Sequence, residues 1–246
     1  MNLTTAEITK RIAEVSRRPG ARITGVVYLL FFLTTIFSAF LINKLVVSDD
    51  AAATAHNILA HQPLFRFGVI TGLVSTAFYV ALAALFYHLF KPVNRSLSLV
   101  AAFLSLMGCS ILVFGSVLQV APLVILGGGR YLSVFSAQQL QALAYAFLEL
   151  NEQGFNVAVL FFGLYCILIG YLIFRSTFLP RILGLLMMLA GVGWLAFLAP
   201  PVADHLSLYI EGLGILAEGL LMLWLIVFGV NPQRWKEQAS AAGMRA

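Results

Sequence analysis

Charged side chains are scarce in this chain. Only 10% of its 246 residues are Asp, Glu, Lys or Arg, whereas 61% are hydrophobic and the mean hydropathy is +0.96. A water-soluble domain is roughly a quarter charged and roughly half apolar. Because a soluble core of this size cannot bury so much apolar surface, the composition predicts a protein whose surrounding medium is lipid.

Cysteine is also scarce, and the common catalytic signatures are missing. Cys109 and Cys166 are the only two cysteines, and both fall inside predicted spans, which indicates packed free thiols and not a disulfide framework. The sequence contains no H-E-x-x-H, paired-cysteine or G-x-S-x-G motif, and no P-loop lysine follows the glycines at 127–129. A non-enzymatic protein is therefore favoured over an enzyme, and no cofactor is expected.

Acidic residues are fewer than basic ones, and the formal net charge is +5. The basic residues lie in short loops beside apolar runs, where positive charge sets the orientation of a membrane protein. We therefore expect no nucleic-acid partner, and we favour a role in orientation over binding of lipid headgroups. The expected partner is the lipid bilayer, and a homo-oligomer or another membrane protein stays open as a further partner.

Long apolar runs dominate the rest of the chain. They predict an all-α fold, a polytopic transmembrane helical bundle of six spans, because each run approaches or exceeds the length that a bilayer core requires. A cytoplasmic segment at 1–22 precedes the transmembrane domain at 23–230, and a cytoplasmic tail at 231–246 follows, which we expect to be disordered after Trp235. The predicted spans are 23–45, 64–90, 98–126, 155–174, 182–198 (ended by Pro200 and Pro201) and 209–230.

Three connecting segments have helical patterns but are too polar to span. Apolar residues at helical spacing near residues 8–15 predict an amphipathic helix on the inner surface, or a frayed tail. Asp49 and Asp50 precede a run that is typical of an N-capped helix on the outer side. A third amphipathic helix is predicted within 132–153 on the outer face, separated from the fourth span by Gly154.

The distribution of positive charge predicts which side each loop occupies. The basic hairpin between Arg175 and Arg181 joins two apolar runs without an acid, as expected for a turn at the cytoplasmic face. If the N-terminus is inside, twelve of the fifteen basic residues lie on the inner side. We therefore predict a bacterial inner-membrane protein with both termini cytoplasmic. The three basic residues on the outer side are Lys44, Arg66 and Arg130.

Glu218 is the most unusual residue, because an acid inside a span is costly and usually faces protein or water. Glu211 lies seven residues earlier on nearly the same helical face. Arg66 enters from the same predicted side and is the natural partner for Glu218. We favour a structural ion pair that locks the helices over a proton- or cation-responsive carboxylate. Gln119 and Asn156 are predicted to form hydrogen bonds between helices.

The predicted outer face also collects residues of metal-ligand type. Histidines five residues apart do not share one helical face, so the pattern is poor for a metal site. A solvated surface is the favoured interpretation, and no metal is predicted. Aromatic residues near span ends, Tyr28 among them, are typical of anchoring at the headgroup level. The outer-face candidates are His56, His61, Glu149, Glu152 and His205.

Four stretches of this sequence resemble a bacterial multi-pass membrane family known as domain of unknown function 4386. They are FFGLYCILIGYLIFRSTFLPRILGLLMMLAGVGWL, DAAATAHNILAHQPLFRFGV, LFKPVNRSLSLVAAF and AEGLLMLWLIVFGV, within residues 22–230. The resemblance implies six transmembrane helices, and it implies that Arg66 and Glu218 belong to the shared pattern. It also implies histidine at the positions of Asn151 and Tyr165 in many relatives, and their absence here weakens the idea of metal or haem binding at these positions.

Three functions are consistent with these features. The favoured one is a non-enzymatic membrane scaffold, accessory or stress-related protein. The second is a small proton-coupled transporter or carrier that uses Glu218 and Arg66. The third is an intramembrane metal-dependent enzyme, although the sequence contains no recognisable set of nucleophile, base and orienting residue.

Overall fold

The computed structural model describes residues 5–198 and 200–243, with side chains described at 20–197 and 205–243. Within these ranges the regular structure is entirely helical, which confirms the predicted all-α class. Two 3-10 turns, Arg130–Leu132 and Ala196–Leu198, accompany the α-helices. The α-helices are α1 (Thr5–Asn43), α2 (Ala51–Ala60), α3 (Gln62–Phe90), α4 (Arg95–Ile125), α5 (Ala137–Arg175), α6 (Arg181–Leu195), α7 (Pro200–Val227) and α8 (Pro232–Ala241).

Within the described residues, five helices are long and apolar enough to cross a membrane, while α6 is apolar but shorter, at 15 residues. Many large hydrophobic side chains on these helices are exposed, as is expected where lipid is the solvent. The chain therefore has the fold of a multi-pass α-helical membrane protein. The five long stretches are Gly20–Asn43, Gln62–Phe90, Arg95–Ile125, Ala137–Arg175 and His205–Val227.

Capping residues mark the starts of the two shortest helices. Asp50 caps α2 as predicted, since its carboxylate accepts a hydrogen bond from the Ala53 backbone N–H at 2.8 Å. Asn231 caps α8, and Pro232 occupies its first turn, where a missing N–H costs nothing. These polar caps satisfy backbone donors that the helices cannot satisfy themselves.

The structure corrects two predicted helix boundaries. The N-terminal segment is not a separate helix, because α1 runs without a break from Thr5 to Asn43 across the predicted boundary at residue 22. Gly154 does not separate a surface helix from a span, because it lies inside α5. A glycine within a helix costs only about 1 kcal/mol relative to alanine, and a 39-residue helix continues through it.

Proline and the C-terminal tail account for two further corrections. Pro200 and Pro201 begin α7 and do not simply end the preceding span, since proline is tolerated in the first turn of a helix. The tail is helical beyond Trp235, where disorder was predicted, because α8 runs to Ala241.

The chain forms two compact units. The first comprises the described parts of Met1–Leu29, Val80–Leu106 and Val159–Ala246, and the second comprises Leu30–Tyr79 and Met107–Ala158. Helices α1, α3, α4 and α5 contribute residues to both units.

The second unit has a hydrophobic core at the ends of its helices. Two polar contacts fasten α2 and the turn before it: the hydroxyl of Tyr145 accepts from the Asp49 backbone N–H at 2.9 Å, and Asn57 donates to the Leu45 carbonyl at 3.2 Å. This unit therefore holds α2 against the spans through apolar burial and side-chain-to-backbone bonds. Its buried core consists of Ile42, Leu45, Ile58, Phe65, Val69, Leu123 and Leu148.

In the first unit, α5 and α6 approach closely through paired glycines. A Cβ atom on Gly170 would lie 2.6 Å from the carbonyl oxygen of Gly184, and one on Gly191 would lie 2.6 Å from the carbonyl oxygen of Gly163. No side chain fits at these distances, so the two backbones are in direct contact. Small residues at helix interfaces are a common device for packing in lipid.

Helix α8 is fastened within the first unit through the side chains of one tryptophan and one glutamine. The Trp235 indole N–H donates to the Leu89 carbonyl at 2.9 Å. The Gln238 side-chain oxygen accepts from both the backbone N–H and the hydroxyl of Thr177, each at 3.1 Å. The end of α3, the α5–α6 turn and α8 therefore meet at one place.

The glycine contacts predict an unequal effect of two alanine substitutions in α5. Gly170→Ala should destabilise the protein by about 1–3 kcal/mol, the usual cost of overpacking, because the new methyl group would meet backbone atoms of α6. Gly154→Ala is the matched control, since its Cβ would meet nothing within 4 Å. Thermal unfolding of the purified protein in detergent measures both, and equal midpoints for the two variants would contradict the close packing.

Candidate functional site

Glu218 lies on α7 and is only partly exposed. Its carboxylate accepts a hydrogen bond from the Tyr28 hydroxyl at 2.7 Å through one oxygen, and the other oxygen lies 4.0 Å from the donating Cys166 sulfur. All three residues belong to the first unit. The intramembrane acid thus has a protein partner on each oxygen, one from α1 and one from α5.

The partners of Glu218 are buried. Tyr28 is 2% exposed and Cys166 is 1% exposed. The Tyr28 ring packs edge to face against Phe86 of α3, with ring centroids 5.8 Å apart and planes at 85°. Four helices, α1, α3, α5 and α7, therefore contribute to the surroundings of a single carboxylate.

A glycine of α1 allows this approach. A Cβ atom on Gly25 would lie 2.8 Å from the backbone nitrogen of Ile226 on α7. Gly25 lies three residues before Tyr28, which places both on the same side of α1. The close contact at Gly25 brings the antiparallel α1 and α7 near enough for the Tyr28 hydroxyl to reach Glu218.

The arrangement is suited to holding helices together and not to nucleophilic catalysis. A hydrogen bond to a carboxylate is roughly twice as strong as one between neutral groups. A reactive thiolate is stabilised by a cation or a metal beside it, whereas the described polar neighbour of Cys166 is a carboxylate, that of Glu218. The geometry therefore indicates a polar lock between helices.

The other predicted intramembrane residues are divided between the two units. Glu211 is exposed and lies seven residues before Glu218 on the same helix, α7. Arg66 is exposed and belongs to the second unit, and its pairing with Glu218 stays a prediction. Gln119 and Asn156 are half-buried in the second unit, and their hydrogen bonds between helices also stay a prediction.

The outer-face candidates do not assemble into a metal centre in the part of the chain whose side chains are described. Across that part, no three residues of the types His, Cys, Asp and Glu come together as a group that could hold an ion. The His61 ring nitrogen Nδ1 lies 3.2 Å from the carbonyl of Asn57 in the preceding helix, α2. The exposed candidates are His56, His61, Glu149, Glu152 and His205.

Sequence reasoning missed the role of Tyr28. It was interpreted as an aromatic anchor at the headgroup level, but it is buried and donates to Glu218. The two residues are 190 positions apart, and a single sequence carries no signal that pairs them. The spacing of Gly25 and Tyr28 on one side of α1 is the only local hint.

Comparison with known proteins gives a family without an assigned activity. The family model described as "Domain of unknown function (DUF4386)" matches residues 23–229. No curated protein and no solved structure matches the chain.

The lock predicts a measurable coupling between Tyr28 and Glu218. Tyr28→Phe removes the donor and Glu218→Ala removes the acceptor, so a double-mutant cycle should give a coupling free energy of about 0.6–1.7 kcal/mol, the range for hydrogen bonds between membrane helices. Unfolding of the four proteins in detergent measures it. Tyr171→Phe is the control, because Tyr171 is 41% exposed on α5. A coupling of zero, or an equal loss in the control, would show that the bond does not hold the helices.

Proposed function

We propose that this chain, which belongs to the family described as "Domain of unknown function (DUF4386)", is a six-span inner-membrane protein that acts as a non-enzymatic scaffold or accessory protein. The observation that carries the proposal is the bond between Tyr28 and Glu218. An acid inside a span is costly and usually pairs with other groups of the protein. This one accepts hydrogen bonds from side chains of α1 and α5. Its carboxylate is thus used to fix the positions of three helices.

The contacts of α8 support a sixth crossing by α6. Helix α5 ends at the α5–α6 turn, where Thr177 contacts α8, and α8 follows α7 after only four residues. The C-terminal ends of α5 and α7 therefore meet at the same end of the first unit. If α7 crosses the membrane, α6 must carry the chain to the other side, since it is the helix that connects α5 to α7.

The length of α6 is compatible with this crossing. Its 15 residues and the 3-10 turn Ala196–Leu198 extend together about 28 Å, at 1.5 Å and 2.0 Å per residue. The hydrocarbon core of a bilayer is about 30 Å thick. Short spans are accommodated by local thinning of the bilayer at modest cost.

Positive charge supports the cytoplasmic assignment of this end. The segments that meet around α8 carry Lys91, Arg175, Arg181, Arg234 and Lys236. Short loops rich in lysine and arginine stay on the cytoplasmic side during insertion. Both termini are then inside, with the loop around Tyr131 and the start of α7 outside.

A proton-coupled carrier is the second candidate. Tyr28 and Cys166 each bear an exchangeable proton, and both donate to the carboxylate of Glu218, which is able to take one up. Glu218 is also partly exposed. Chains of protonatable side chains inside membranes are typical of pumps and transporters, so this arrangement favours a carrier over the enzyme alternative.

Single cysteines at defined positions test the six-span topology. Cys109 and Cys166 are buried, so background labelling is expected to be low. Val134→Cys and His205→Cys should react with a membrane-impermeant maleimide in intact cells, whereas Gln233→Cys should react only after permeabilisation. Protection of His205→Cys together with labelling of Val134→Cys would mean that α6 does not cross.

Proton flux distinguishes the scaffold from the carrier. In proteoliposomes with an internal pH dye and an imposed potassium diffusion potential, the protein should conduct no more protons than empty liposomes do. Glu218→Gln keeps an acceptor for Tyr28 and is the diagnostic variant. If the wild-type protein conducts protons, and Glu218→Gln folds normally but does not, the carrier is correct and the scaffold is wrong.

A further inference from the structure

A cavity of about 480 Å³ lies in the first unit at the end of α7. Its walls are formed by Arg22 of α1, Phe178 of the α5–α6 turn, Trp224 and Val227 of α7, and residues 228–232 of the turn into α8. Arg22 lies at the start of the apolar stretch Gly20–Asn43 of α1, and the other segments lie near the ends of their helices. The cavity therefore lies at the depth where a span meets the headgroup region.

The turn between α7 and α8 shapes one side of the cavity. Gly229 has a left-handed backbone with φ of 67°, and its N–H donates to the Trp224 carbonyl at 3.0 Å. A Cβ at Gly229 would lie 3.9 Å from Cγ of Arg22. The aliphatic stem of Arg22 thus lies beside this turn, and Arg22 is exposed and lines the cavity.

Among the residues whose side chains are described, the cavity lining combines one cation with aromatic and aliphatic walls and contains no acid. Arg22 is the charged lining residue, Asn231 is polar, and Phe178, Trp224 and Phe228 provide rings. Arginine presents a planar fork of donors that matches phosphate geometry. Tryptophan and other aromatic residues favour the interface between headgroups and acyl chains.

We propose that this cavity binds the phosphate headgroup of an anionic phospholipid. Arg22 donates to the phosphodiester, and the rings of Trp224 and Phe178 flank the glycerol region. Basic pockets at the membrane ends of helices are known as sites for anionic lipid headgroups. The site extends the proposed scaffold role but does not depend on it, since it rests on Arg22 and the α7–α8 turn alone.

Exposed apolar side chains continue from the cavity into the span and provide a surface for the acyl chains. On α7, Leu223 is 52% exposed and Leu220 is 39% exposed, both leading away from the α8 turn. On α1, Ile23 and Val26 are 50% and 47% exposed. Because Gly25 packs directly on Ile226, these two rows belong to helices in contact, and a lipid bound at Arg22 can lie along both.

Lipid titration of the full-length protein in detergent tests the proposal. Native mass spectrometry and thermal unfolding should show that phosphatidylglycerol binds and raises the unfolding midpoint, while phosphatidylethanolamine has a much smaller effect. Arg22→Gln should bind phosphatidylglycerol roughly tenfold more weakly, as expected for the loss of one charge-assisted hydrogen bond. Arg22→Lys keeps the charge and should retain part of the binding.

Arg181→Gln is the matched control. It removes the same charge at the same end of the unit, but Arg181 stacks over Phe174 at 5.8 Å and does not line the cavity, so binding should be unchanged. Val230→Trp fills the cavity without removing Arg22 and should also abolish selectivity. Equal binding of the two lipids, or an equal loss in Arg22→Gln and Arg181→Gln, would overturn the proposal. Competition by glycerol 3-phosphate at equal concentration would show a soluble phosphate site and would overturn it as well.

Discussion

Hydrocarbon provides no hydrogen-bonding partners, so a polar side chain buried in a span is costly unless it is paired within the protein. Glu218 represents the most demanding case in the described spans. Its carboxylate is satisfied by Tyr28 and Cys166, and these partners come from helices that are distant in sequence. The need to satisfy one acid therefore fixes α1 against α7 and brings α5 to the same place, and the close contact of Gly25 with Ile226 allows that approach.

Hydroxyl side chains in the spans follow the same rule by a shorter route. Thr24 donates to the Gly20 carbonyl at 3.0 Å and Thr71 donates to the Phe67 carbonyl at 2.8 Å, each one turn earlier in its own helix. Such bonds satisfy the hydroxyl without linking helices. Ser38 instead donates to the Gly68 carbonyl of a neighbouring helix at 2.8 Å. Hydrogen bonds between helices therefore depend on a few side chains. The glycine pairs bring the backbones of α5 and α6 into direct contact.

The apolar spans and the α2 cap could be predicted from the sequence because both are local. A run of apolar residues specifies a span by length, and Asp50 lies immediately before the helix that it caps. The continuity of α1 and α5 could not be predicted. A polar segment and a glycine each lower helix propensity by amounts that neighbouring turns can offset, so Gly154 was interpreted as a boundary although the helix passes through it. The role of Tyr28 could not be predicted because it depends on Glu218, which is distant in sequence. Helix α8 could not be predicted because it is held in place by the contacts of Trp235 and Gln238.

Arg22 shows how one residue can serve both orientation and recognition. Positive charge at the end of a span acts during insertion, when it resists transfer across the membrane. That role requires only a positive charge near the apolar run and no defined set of neighbouring residues. The stem of Arg22, however, lies beside the left-handed turn at Gly229, and Arg22 lines a cavity together with Trp224. A charge retained for orientation becomes selective when the fold surrounds it with a shaped apolar wall. The fold of the α7–α8 turn, and not the number of arginines, is therefore what distinguishes this position.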